Sequence, residues 1–173
     1  NADEASMRVR RVDTGEDLPD QLDGAKYSGM SWTPDSSQLY YVWVPPVSDA
    51  VTVEQRPGFA TIRLHALGMT QESDTEIFGA TGDPETFLGV DLSEDGNFLF
   101  LYLSRGWDDV SIWYRDQRPQ VDSKIPREVA PSGAVVASHT DDPLVAKVDA
   151  RARAAGFRQL LVGAGAVTGV EAY

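Results

Sequence analysis

Cysteine does not occur in the 173 residues of this chain. Disulfides, thiol nucleophiles and zinc–thiolate centres are therefore excluded. Histidine is scarce, with only His65 and His139 available as imidazole bases or metal ligands. No apolar run is long enough to span a bilayer as a helix. Positive charge is in deficit: 15 Lys and Arg stand against 27 Asp and Glu, a formal net charge of −12. That balance argues against nucleic acid and anionic membrane surfaces as partners, because both demand a basic face. Solubility is the ordinary meaning of such acidity.

What the chain has is β pattern. Hydrophobic residues make up 42% of the sequence, which places it among globular chains. Phe87 to Leu103 reads FLGVDLSEDGNFLFLYL. Leu88, Val90 and Leu92 alternate with Gly89 and Asp91, the period of a half-buried strand. Asp95-Gly96 is a tight-turn pair, since Gly accepts positive φ and Asp tolerates it. Phe98 to Leu103 is apolar at every position, as in a strand covered on both faces. The same hairpin occurs upstream as SGMSWTPDSSQLYYVWV, with Gly29 matching Gly89, Trp32 matching Leu92, Asp35 matching Asp95 and Leu39 matching Leu99, without a gap. A repeated hairpin in an all-β chain predicts propeller blades.

Met7 to Val12 and Leu18 to Leu22 form a hairpin, read as the outer part of a preceding blade over 7–24. Residues 25–80 hold four strands and make one blade, with TIRLHAL at Thr61 to Leu67 as its third strand. Gly82-Asp83-Pro84 links it to a second blade over 86–163, whose third strand is VSIWYR at Val110 to Arg115 and whose fourth is FRQLLV at Phe157 to Val162. Between those strands, 119–156 reads as an insertion. It opens on a polar stretch with Pro119, Pro126 and Pro131. Asp141-Asp142-Pro143 then caps a helix over Leu144 to Ala155, which Gly156 stops. Residues 164–173 begin a further copy, with Gly169 matching Gly29 and Gly89. The expectation is an all-β partial β-propeller of about two and a half four-stranded antiparallel blades, with one short helix in the insertion. Fewer than the four blades a ring needs implies a piece of a longer protein.

KYSGMSWTPDSSQLYYVWVP, EQRPGFATIRLHALGMTQESDTEIF and GDPETFLGVDLSEDGNFLFLYLSRGWDDVSIWYRD resemble the β-propeller of prolyl oligopeptidases. The resemblance runs nearly continuously from Arg8 to Asp116 and resumes weakly at FRQLLVGAG. It implies the N-terminal propeller of a serine peptidase that cleaves short peptides after proline. In that family a seven-bladed propeller caps a C-terminal α/β-hydrolase domain and restricts entry to small peptides. G-x-S-x-G does not occur here, and neither His has a recognisable Ser and acid around it, so the chain alone is expected to be inactive. By the resemblance Tyr27 and Phe87 border an apolar substrate pocket, Arg105 reaches the bound peptide, and Trp107 falls near a pocket position in a shorter loop. No catalytic residue, metal ligand or cofactor is implied.

Each of these residues has a plainer reading. Tyr27 and Phe87 open their blades and fit core positions equally well, and Arg105 fits a solvated loop. Trp107 fits packing better than ligand contact. Trp32, Trp43 and Trp113 lie within strands and are expected in the core, and His65 in its apolar strand is expected to be structural. His139 lies beside Asp141 and Asp142 but lacks further ligands for a metal. Two other functions compete. One is a stand-alone propeller used as a protein-binding platform. The other, weaker for want of a carboxylate and His cluster, is a lactonase-like metalloenzyme. Either way, blade faces without neighbours are expected to make the isolated chain self-associate.

Overall fold

The computed structural model describes residues 4–26, 29–106, 109–119 and 143–164. Ten strands, one α-helix and two short 3-10 turns, Arg56–Phe59 and Gln71–Ser73, occur among them. β1 (Ser6–Arg10) and β2 (Asp17–Asp23) pair as an antiparallel hairpin. β3 (Met30–Trp32), β4 (Gln38–Trp43), β5 (Thr61–Ala66) and β6 (Thr75–Phe78) form a four-stranded antiparallel sheet in that order. β7 (Thr86–Leu92), β8 (Phe98–Arg105), β9 (Asp109–Asp116) and β10 (Arg158–Ala164) form a second, also antiparallel and in sequence order. α1 (Pro143–Ala154) lies between β9 and β10.

Alternation explains how the layers stack. In β4, Tyr40 and Val42 join a cluster shared with Leu88, Val90 and Leu92 of β7 and Leu99, Leu101 and Leu103 of β8. Leu39 and Tyr41 join a separate cluster with Val9 and Leu22 of the β1–β2 hairpin. The central strand of the first sheet thus has no wet face. In the second sheet, register places Leu88 opposite Leu103, Val90 opposite Leu101 and Leu92 opposite Leu99, so all six share the face toward the first sheet. Burying such side chains is the main favourable term, about 1.5–3 kcal/mol each.

The repeat is visible in the turns. Ser36 N donates to Thr33 O at 2.8 Å, and Gly96 N to Ser93 O at 2.7 Å. Asp35 accepts from Thr33 Oγ1 and Ser37 N, and Asp95 accepts from Ser93 Oγ and Asn97 N. These hydroxyl and amide donors hold the Asp35 carboxyl down at about 2. The left-handed position is Ser36 in the first copy, with φ +55°, and Gly96 in the second, with φ +73°. The copies also touch: Ser31 Oγ donates to Asp91 Oδ1 at 2.9 Å and accepts from Leu92 N at 3.0 Å.

Two expectations are corrected. Trp32 is 39% exposed rather than core. It lies opposite Leu39 and therefore on the face that the β1–β2 hairpin covers, but that hairpin packs over Leu39 and Tyr41 and leaves the β3 edge open. Trp113 is fully buried as expected, while Trp43 is half-buried under the Arg63 guanidinium, 3.8 Å from its ring centre. The expected helix of the insertion is present as α1 and packs into the core. Its Val148 and Ala152, with Phe157 just beyond it, join the main core, and Phe78 meets Phe157 edge-on at 6.4 Å. The expected cap at Asp141-Asp142 and the further copy past 164 lie outside the described residues.

His65 is fully buried and tied on both sides. Its Nδ1 lies 2.7 Å from Asp74 Oδ1 and its Nε2 3.0 Å from Asp20 Oδ1 of β2. A neutral imidazole carries one N–H and one lone pair, so it would aim that lone pair at a carboxylate. Only the imidazolium satisfies both contacts. Around it, Tyr41 OH donates to Asp74 Oδ2 at 2.6 Å and accepts from Gln71 Nε2 at 3.1 Å, and Gln71 in turn holds the Asp23 backbone. This network fastens β2 to the first sheet.

Replacing Gly96 by Ala places a Cβ 2.7 Å from Pro34 Cγ at a positive φ. Gly96→Ala is expected to lower stability by about 1–2 kcal/mol, whereas Ser36→Gly raises it by less than about 1 kcal/mol, both read from urea unfolding midpoints. The His65 network gives a pH dependence. Burial pushes the imidazole down, but hydrogen bonds to Asp74 and Asp20 outweigh it, and its pKa ends above the ordinary 6.5. Burial pushes Asp20 up, but the Gly68 N–H and His65 outweigh it and hold it below 3.8. The His65 contribution is full below its unfolded value and lost as pH rises through the raised folded one; that of Asp20 is lost as pH falls through its depressed one. The urea midpoint is therefore expected to fall as pH rises above the ordinary imidazole value of 6.5, and that fall to vanish in His65→Gln.

Candidate functional site

Phe87 and Arg105 lie at one end of the β7–β8 pair. Thr86 is opposite Arg105 and Phe87 is opposite Ser104, so the two residues share that end but occupy alternate faces of the sheet. Phe87 is 48% exposed and is not a core aromatic. It borders an apolar cavity of about 590 Å³ between the first sheet and β7, walled by Val42, Val44, Ala60 and Leu88 with Lys26 at its side. A volume of that size takes an apolar side chain or a small ring.

Arg105 is not a loop residue. Pairing with Thr86 on one side and Asp109 on the other makes it the last position of β8. Its Nε lies 3.3 Å from Asp83 Oδ2 and its Nη2 3.2 Å from Glu85 Oε2. The two acids differ sharply in setting. Asp83 is 4% exposed at its side chain, Glu85 72%. Asp83 Oδ2 also accepts from Thr86 Oγ1 at 2.8 Å and Oδ1 from Glu85 N at 3.0 Å, while Asp83 N donates to Thr81 Oγ1 at 3.1 Å. The loop carrying Asp83 is pinned in turn by the short turn Arg56–Phe59. Gly82 N donates to Gly58 O at 2.8 Å, and a Cβ on Gly58 would come within 3.1 Å of the Asp83 backbone. Gly58 is therefore required for close approach rather than for a special φ.

The structure thus brings Phe87 and Arg105 to one end of a hairpin. Tyr27 and Trp107 lie outside the described residues. Asp83 and Glu85 were not singled out by sequence reasoning, which took Gly82-Asp83-Pro84 only as a linker. Their one sequence signal is two acids placed just before the strand that pairs with Arg105. Chemically the arrangement offers an apolar recess and a partly shielded guanidinium that can meet a hydrogen-bond acceptor. Among the described residues no three His, Asp or Glu side chains converge on a metal-sized site. His65 has no ring nitrogen left for proton transfer, since both face carboxylates.

The family model for the prolyl oligopeptidase N-terminal β-propeller domain matches residues 1–155. Prolyl oligopeptidase A of Galerina marginata is 34% identical over 92 residues, covering 50% of this chain and 12% of the relative. The prolyl endopeptidase of Elizabethkingia meningoseptica is 22% identical over 111 residues, covering 64% and 16%. Among solved structures, one of two prolyl endopeptidases studied for inter-domain dynamics in catalysis and specificity superposes with a TM-score of 0.63 at 43% identity, over 69% of this chain and 18% of that one. Prolyl oligopeptidase B of Galerina marginata, bound to a 35mer hydrolysis and macrocyclization substrate, superposes with a TM-score of 0.56 at 26% identity, over 67% and 18%. The chain therefore spans less than a fifth of the length of each of these relatives.

Proposed function

Since this chain belongs to the prolyl oligopeptidase family, as part of its N-terminal β-propeller domain, we propose that it is the substrate-gating propeller segment of a serine endopeptidase that cleaves short peptides after proline. The observation that carries the proposal is the family match over residues 1–155. Catalysis belongs in this reading to a C-terminal α/β-hydrolase domain outside the chain, and the segment by itself turns over nothing. Its own contribution is recognition. Phe87 beside its apolar cavity offers a surface for proline and other apolar side chains, and the Arg105 guanidinium offers a donor to a peptide carbonyl. Tyr27 and Trp107 complete the proposed peptide-binding set.

The exposed Met30 and Trp32 support self-association of the isolated segment. They continue, on β3, the face that the β1–β2 hairpin covers elsewhere, and are 49% and 39% exposed. An apolar strip of this kind beside a strand edge drives contact between copies. Light scattering of the isolated chain at low micromolar concentration is expected to show dimers or larger species, and a clean monomer overturns this part of the proposal.

Kinetics of the full-length peptidase carrying this segment test the recognition role. Arg105→Lys keeps a positive charge beside buried Asp83, so the fold is retained, but loses the guanidinium fork. It is expected to lower kcat/KM for proline peptides roughly ten-fold to a hundred-fold, corresponding to the ~1.5–3 kcal/mol of a hydrogen bond to a charged group. Unchanged kinetics remove Arg105 from the peptide site.

A further inference from the structure

We propose that Glu85 is a specificity-determining residue that makes the Arg105 site reject acidic peptides; the inference rests on Arg105 meeting the peptide. An isolated arginine in a peptide site would attract carboxylates. Arg105 is not isolated. Its Nε faces buried Asp83 at 3.3 Å and its Nη2 faces exposed Glu85 at 3.2 Å. On β9 its register partner is a third acid, Asp109. One guanidinium is therefore ion-paired with two carboxylates, Asp83 and Glu85, a trio of net charge −1, and a further acid stands at the neighbouring register position on β9.

The two paired acids do different things because they are held differently. Asp83 is fixed by Thr86 Oγ1 and the Glu85 N–H, and its buried carboxylate stands 3.3 Å from Arg105 Nε as a fixed counter-charge. Glu85 lies in solvent on a long side chain, and its contact with Nη2 is of the weak surface kind. A neutral carbonyl can take Nη2 while Glu85 turns to water, at small cost. An incoming carboxylate gains the same hydrogen bond but enters a field that is already negative. Discrimination at this site therefore comes from Glu85 as a repulsive element, and selects neutral or basic peptides over acidic ones.

The test uses the full-length peptidase carrying this segment and two matched proline peptides that differ only by Asn or Asp on the N-terminal side of the proline. Wild type is expected to favour the Asn peptide at low ionic strength. Glu85→Gln should raise the Asp-to-Asn ratio of kcat/KM on the order of five-fold, the effect of one unit charge a few ångströms away in a high-dielectric setting. Added salt at about 1 M should shrink the wild-type difference in the same direction. Glu85 is solvent-exposed, so its substitution leaves the fold in place, and a general loss of activity would move both peptides together without altering the ratio. An unchanged ratio in Glu85→Gln, with Arg105→Lys still lowering kcat/KM on both peptides, overturns this inference alone. Arg105→Lys without effect on either peptide overturns the site reading and this inference with it.

Discussion

The structure depends on one constraint: the central strand of its first sheet has no face that can meet water. β4 gives Tyr40 and Val42 to one cluster and Leu39 and Tyr41 to another. No single sheet can satisfy such a strand, so the first sheet requires a neighbour on both sides. The β1–β2 hairpin supplies one neighbour for the first sheet and the second sheet supplies the other. The inserted helix follows the same rule, for Val148 and Ala152 extend the cluster that Trp113 and Phe157 begin.

Apolar layers alone would slide, and directional contacts settle where they stop. Ser31 bridges the two copies of the repeat through Asp91 and the Leu92 amide. His65 joins β2 to the first sheet through Asp20 and Asp74, in a buried setting where only the imidazolium suits both partners. Tyr40 OH reaches Gln117 Oε1 at 2.9 Å across the sheets. Each contact joins residues far apart in sequence. They act as registry marks between layers rather than as large sources of stability, which is the best-attested use of buried polar groups.

The candidate site grows out of a joint of this kind. The Arg56–Phe59 turn of the first sheet presses on the Asp83 loop, Asp83 holds Arg105, and Phe87 follows within the same segment. A peptide contact placed here is supported by both sheets at once. The two exposed groups, Phe87 and Glu85, thus stand in solvent on a base held by both sheets.

Much of this was legible in the chain itself. The alternation in FLGVDL, the Asp-Gly turn and the repeat sixty positions earlier determined the strands and their order, because period and turn chemistry are local properties of consecutive residues, while the family showed only as a resemblance carried by longer stretches such as EQRPGFATIRLHAL. The tertiary structure alone decided what lies across each face. Trp32 shares a face with Leu39, yet one is open and the other covered, since the hairpin is narrower than the sheet. The helix composition was plain, but not that its apolar side would close the core. Arg105 was expected in the loop after the strand, but pairing makes it the last position of β8, and its two acidic partners come from a loop about twenty residues away. His65 was legible as structural, while its charge state required Asp20 and Asp74 to be seen on either side. Periodicity says which way a side chain points; only packing between distant segments says what it meets there.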